Sequence, residues 1–300
     1  MQFTKLQGAG NDYVYVNGLT ETRDWAELSR RIADRHFGVG ADGLIVVTTS
    51  EKAPVRMRMF NADGSEGEMC GNGLRCFAKY VLERNLVPSN GGSLDVETGV
   101  GVLSVVPHWE GRAVTGARVD MGAPILCAAD VPAAQAEAGA SDYTALNAET
   151  VKALGLAPAE LLFDAPIAVD GVTFVGTAVS MGNPHFVCFV DEPASEIPLE
   201  RLGPLMEHHA AFPKRVNFHV VNLMDRTHIV SRTWERGSGL TLACGTGASA
   251  MVVAARLHGL VDDEVSVRVP GGELTITWAG HGSVMMDGDA VEVFSGELPD

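Results

Sequence analysis

The sequence predicts an α+β fold of two homologous domains in a pseudo-two-fold arrangement, each a curled, mostly antiparallel sheet around a central helix. Three observations lead there. The peptide M-C-G-N-G-L-R-C at 69–76 returns as A-C-G-T-G-A-S-A at 243–250, so Cys244 stands 174 residues after Cys70. The register holds on both sides: Phe60 meets Trp234, Leu86 meets Leu260 and Val87 meets Val261. Strand-like segments outnumber helical ones in each half, which favours sheets with segregated helices over regular βαβ alternation. Lastly, the pattern changes from strand to helix at each Cys-Gly-x-Gly, so each cysteine is expected at a helix N-terminus.

Along the chain, G-N-D-Y-V (10–14) faces G-N-P-H-F-V (182–187) in the repeat. Residues 24–36 place Trp25, Leu28 and Ile32 at helical spacing behind Asp24, a capping residue. Glu27, Ile32 and His36 fall opposite Glu200, Leu205 and His209. Segments 43–49, 55–60 and 94–98 read as strands from β-branched content or alternation, as do 173–180, 216–221, 228–235, 265–269 and 273–278. After the first cysteine, Leu74, Phe77, Tyr80 and Val81 form one apolar helical face. After the second, 248–257 is apolar almost all round, as expected for a helix enclosed by sheet. Glycine and proline interrupt the pattern at M-G-A-P (121–124), which places the domain boundary there, giving 1–121 and 122–287. Residues 128–165, Ala-rich and acidic, have no first-half counterpart and read as an insertion with a short helix near 147–155.

Composition narrows the function. With 300 residues, 46% hydrophobic and 20% charged, two globular domains can each bury a core. The formal charge of −16 repels a nucleic-acid backbone. The N-terminus lacks a basic region followed by an apolar run and no stretch is long enough to span a bilayer, so a cytoplasmic protein without a membrane partner is expected. Five cysteines show no C-x-x-C spacing, which signals neither a disulfide framework nor a zinc site. His208 and His209 are adjacent and point apart on a helix, so they do not suggest a metal. G-V-G-A-D-G (38–43) matches a dinucleotide fingerprint but follows a helix and opens a strand, the reverse of the required context.

The repeated cysteines remain as the chemistry. A cysteine at a helix N-terminus feels the partial positive charge of exposed amides, which favours thiolate. The neighbouring glycines Gly71, Gly73, Gly245 and Gly247 let backbone amides come close to a carboxylate. A single Cys beside glycines is often a small buried hydrophobe; a matched pair is not so easily explained. Two opposed thiols, one taking and one giving a proton, can invert a stereocentre without turning the substrate over. Charge builds on the carboxylate as the Cα–H is lost, and removing one donor aimed there costs roughly 3 to 4 kcal/mol. Five lysines without a marked context offer no Schiff-base site, and no metal-ligand cluster is evident, so no cofactor and no metal are expected. Cys76, Cys127 and Cys188 lack the repeated setting and read as buried bystanders.

At these motifs, together with G-A-G-N-D-Y (8–13), F-N-A-D-G-S-E (60–66), S-M-G-N-P-H (180–185), F-P-K-R-V-N (212–217) and E-R-G-S-G (235–239), the chain resembles the diaminopimelate epimerases. The resemblance covers nearly the whole chain outside 128–165. It implies cofactor-independent conversion of LL-diaminopimelate to its meso form, with Cys70 and Cys244 as the proton-transfer pair and His185 and Glu235 assisting around the reacting centre. Gly71, Asn72, Gly245 and Thr246 would cap the reacting carboxylate. Asn61, Asn183, Asn217 and Arg236 would grip the distal amino-acid end, and Asn11 would line the site. It also implies a homodimer and a final strand, within 288–300, that returns to the first domain. Two positions depart from the pattern: Gly43 stands where some members have a substrate-contacting Gln, and Leu240 where G-E-T usually precedes the second Cys. Other cofactor-independent racemases, of proline or histidine type, and a non-catalytic amino-acid-binding protein are the competing readings.

Overall fold

A computed structural model describes residues 1–88, 92–133, 148–157 and 160–298. The chain forms two compact units, Met1–Asp120 with Asp287–Asp300, and Met121–Met286.

In the first unit, β1 (Gln2–Gly8) lies antiparallel to β2 (Asn11–Asn17), and α1 (Trp25–Ala33) leads to β3 (Gly43–Thr48), which runs parallel to β2. Asp24 caps α1 by accepting the Glu27 N–H, and Trp25 and Ile32 form its buried face. The helix stops at Ala33, short of the expected His36, because the Asp34 carboxylate accepts the N–H groups of His36 and Phe37 and turns the chain. β4 (Val55–Asn61) is antiparallel to β3 and to the two-residue β5 (Glu66–Gly67). Then α2 (Gly71–Glu83) begins, followed by β6 (Leu94–Thr98), parallel to β4, and the antiparallel run of β7 (Gly101–Glu110) and β8 (Ala113–Asp120).

The second unit repeats this plan. β9 (Ala165–Val169) pairs with β10 (Val172–Ser180), which pairs with β11 (Pro184–Phe189). After α4 (Leu199–Glu207), β12 (Asn217–Leu223) runs parallel to β11, as β3 does to β2. β13 (His228–Glu235) is antiparallel to β12 and to the short β14 (Gly239–Leu240). α5 (Gly245–Leu257) precedes β15 (Glu264–Val269), parallel to β13, and β16 (Gly272–Thr277). The chain then passes through β17 (Met285–Asp289) and ends in β18 (Val291–Glu297), antiparallel to β1. Of the segment read as an insertion, 134–147 and 158–159 lie outside the described residues; α3 (Ala148–Ala153) stands where a short helix was expected.

Both central helices are enclosed. α2 packs against β1, β2, β3, β7 and β8, and α5 against β10, β11, β12 and β16. Every residue of α2 from Gly71 to Leu82 is buried, including Arg75 and Lys79. A buried cation is tolerable only when paired: Lys79 Nζ reaches Glu83 Oε1 at 2.8 Å and the Val114 carbonyl at 2.7 Å, and Arg75 Nε donates to the Asp289 carbonyl at 3.3 Å. The apolar surround of α5 matches its composition, with eleven of thirteen residues buried. No helix among the described residues is long and apolar enough to cross a membrane.

Candidate active site

In the first unit, Cys70 is the N-cap of α2. Its backbone is extended, at φ −140°, and its sulfur accepts the Gly73 N–H at 3.3 Å. The same sulfur lies 3.1 Å from Asn11 Oδ1 and donates to it. Asn11, the first residue of β2, is held by its other end, because Nδ2 donates to Asp42 Oδ2 at 2.6 Å. Asp42 also accepts the Asp12 N–H and is paired with Arg35. The Tyr13 hydroxyl shares hydrogen bonds with Cys70 and Asn11; burial, with charge at Cys70 and Asp42, raises its pKa well above the usual value. Gly71 and Asn72 open α2. Asn72 is buried, and its Oδ1 has no hydrogen-bond partner, an arrangement costing about 1–3 kcal/mol unless something else satisfies it. Asn61, at the end of β4, donates to Ser65 Oγ at 2.9 Å within its own turn.

In the second unit, Cys244 is the N-cap of α5, with its sulfur 3.6 Å from Thr246 Oγ1. Glu235, the last residue of β13, hydrogen-bonds the Cys244 sulfur and accepts from the Thr241 hydroxyl. The expected lowering of the thiol pKa does not hold here. Burial and the Glu235 carboxylate push Cys244 well above the ordinary value, outweighing the favourable contacts to Thr246 and the Gly247 amide. Asn217 and Arg236 are joined: Asn217 Oδ1 accepts the Arg236 N–H at 2.9 Å, and the Arg236 guanidinium donates to the Lys214 carbonyl at 3.1 Å. Asn217 Nδ2 donates to the Pro184 carbonyl at 2.8 Å.

His185 lies on β11, two residues after Asn183. It is wholly buried, with Nε2 2.9 Å from Asn183 Oδ1 and Nδ1 2.8 Å from His219 Nε2. Both ring nitrogens are committed inside the protein. Burial, then His219 and Arg236, hold its pKa well below the usual value, and burial takes His219 down to about 3.

The glycines one turn into each helix serve packing. A Cβ on Gly73 would lie 2.8 Å from Ile45 Cδ1, and one on Gly247 2.5 Å from His219 Cε1. Gly43 is likewise forced by its backbone, since a Cβ there would sit 2.1 Å from the Phe60 carbonyl oxygen, leaving no room for Gln. Leu240 is 39% exposed and pairs with Trp234. His208 caps the end of α4 and His209 follows it, so neither lies on the helix as expected. Cys76 and Cys188 are buried, and burial raises the Cys76 thiol to about 11.

Sequence reasoning missed Asp42, His219, Thr233 and the closeness of Tyr13 to Cys70. The repeat held one signal, because Asn11 and Tyr13 stand where Asn183 and His185 stand in the second unit. A single His inside an alternating strand held none.

The family model described as diaminopimelate epimerase matches residues 3–127 and 177–293. Diaminopimelate epimerase from Acetivibrio thermocellus is 43% identical over 300 residues, spanning 99% of this chain and 98% of that protein. The one from Moorella thermoacetica is 45% identical over 302 residues, spanning 100% and 99%. Among solved structures, a phenazine biosynthesis protein of the PhzF family from Bacillus anthracis superposes with a TM-score of 0.64 at 19% identity, covering 100% of this chain and 99% of its own. A hydroxyproline epimerase from Agrobacterium vitis gives 0.62 at 14%, covering 99% and 90%. At such identities the structural likeness establishes a shared α+β fold.

Proposed function

This chain belongs to the diaminopimelate epimerase family, and from that premise we infer that it converts LL-2,6-diaminopimelate to meso-diaminopimelate by two-base proton transfer between Cys70, Cys244 and one α-carbon. The observation that supports this most is the duplicated N-cap cysteine, each followed by a buried helix whose first amides can receive a carboxylate. An α-C–H is a weak acid, so its base must be strong. Burial and the Glu235 carboxylate make the Cys244 thiolate more basic than a free one. In the unliganded protein Cys244 is therefore a thiol, ready to deliver a proton while the Cys70 sulfur takes one, and the roles exchange in the reverse direction.

Gly71 and Asn72 at the start of α2, with Gly245 and Thr246 at the start of α5, supply the helix-terminal donors that cap the reacting carboxylate. Asn61, Asn183, Asn217 and Arg236 bind the distal amino-acid end, and Asn11 positions substrate beside Cys70. His185 orients Asn183. The chemistry asks for no electron-sink cofactor, because helix-end donors stabilise the enolate-like charge.

The product would feed lysine and peptidoglycan synthesis. The reaction needs free thiols, which the reducing cytoplasm maintains, and we place the protein there. A homodimer is proposed from the exposed side chains of Val291, Val293 and Phe294 on β18.

Incubation of reduced protein with LL-diaminopimelate, followed by separation of stereoisomers, tests the function. Meso product is expected. Cys70→Ala and Cys244→Ala should each lower turnover about a thousandfold or more while the circular dichroism spectrum stays unchanged. Substantial turnover by either variant contradicts the two-base scheme.

A further inference from the structure

His219 lies on β12, paired with Thr233 of β13, and its ring is completely buried. Its Nδ1 is 2.8 Å from Thr233 Oγ1, and its Nε2 is 2.8 Å from His185 Nδ1. The line ends at Asn183, whose Oδ1 is 2.9 Å from His185 Nε2. A neutral imidazole has one N–H and one bare nitrogen, and burial keeps both rings neutral. The carbonyl oxygen of Asn183 can only accept, so His185 carries its proton on Nε2. Its Nδ1 is then bare and must receive the Nε2–H of His219. The Nδ1 of His219 receives the Thr233 hydroxyl proton in turn. Every bond in the line therefore points towards Asn183.

We propose that His219, backed by Thr233, is a positioning residue that locks His185 as its Nε2–H tautomer and so turns the Asn183 carboxamide with its oxygen inward and its NH2 outward as a donor to an anionic substrate group, a carboxylate. This rests on the reading of Asn183 as a substrate-binding residue given above. The first unit supplies the contrast. At the equivalent positions Tyr13 and Ile45 replace the two histidines. There Asn11 is clamped through its NH2 by Asp42 and offers its oxygen towards Cys70. Two repeat-related asparagines thus present opposite ends of the same group.

The test is nitrogen-15 NMR of the full-length protein labelled at histidine, with steady-state kinetics alongside. Three variants are compared with the parent. His219→Gln keeps a donor at the place of Nε2, His219→Ile installs the residue that fills the matching place beside Gly73, and Thr233→Val removes the hydroxyl donor at nearly constant shape. In the parent, His185 should be protonated on Nε2 alone. His219→Ile should release that tautomer and raise KM about tenfold with little change in kcat, the equivalent of one lost hydrogen bond. Thr233→Val should shift both measures the same way, and His219→Gln should stay close to the parent. A parent His185 protonated on Nδ1 overturns the proposal, as do an unchanged tautomer in both donor-deleting variants or a folded His219→Gln as impaired as His219→Ile. The NMR reading needs no substrate, so it stands apart from any failure to turn over diaminopimelate.

Discussion

Cys70 and Cys244 share a motif and a capping position but not an environment. The first is half-buried, between the Gly73 amide and Asn11; the second is buried beside a carboxylate. Glu235 raises the Cys244 pKa by its charge and by accepting the thiol hydrogen bond, so Glu235→Gln should move that pKa down. Cys244 would then react with an alkylating agent at lower pH than in the parent. The pH profile of its modification, followed by peptide mass spectrometry, checks this; an unmoved or upward-shifted profile would contradict it. Epimerase activity should fall in the same variant, because the thiolate becomes a weaker base. The sequence made the cysteines legible, since a glycine-flanked Cys appears twice in one register. Asp42 was hidden because it sits in G-V-G-A-D-G, whose glycines draw attention to nucleotides. It acts instead through Asn11.

Among the elements, both cysteine-capped helices were readable from a strand pattern that turns apolar on several faces, and the strands from β-branched alternation. Two-residue strands such as β5 and β14 leave no period to detect, and α4 has a Pro198 N-cap without a side-chain cap bond and Pro204 inside it. The parallel pairing of β11 with β12 was also invisible, because alternation fixes which face a residue takes and not its neighbour's direction. Tight contacts beneath the helix starts carry a consequence of their own. The His219 ring is pinned at both nitrogens, whereas Ile45 meets Gly73 through a rotatable methyl end. Gly247→Ala should therefore destabilise by about 1–3 kcal/mol, as overpacking does, and Gly73→Ala by less. Urea denaturation of the two variants measures the difference, and equal costs would show that the histidine line yields as readily as an isoleucine.

At the scale of the whole molecule, the duplication that the sequence announced is written into the sheets. Tyr13 pairs with Gly43 across the parallel strands of the first unit as His185 pairs with Asn217 in the second. Divergence since then has gone into side chains, giving one half a carboxylate-clamped asparagine and the other a histidine line. The exposed Val291, Val293 and Phe294 belong to this scale too. Phe294→Glu should convert the proposed dimer to monomer in light scattering; a parent protein that is already monomeric, or a variant that stays dimeric, would remove β18 from the interface.

Running the reaction from LL-diaminopimelate in D2O and stopping it early tests two-base transfer most directly. If one sulfur removes the α-proton and another delivers from solvent-exchanged stock, the first meso product carries deuterium at the inverted carbon while unreacted LL substrate carries none. Early meso product retaining the original hydrogen would mean that a single base returns the same proton, and the two-cysteine account would be wrong.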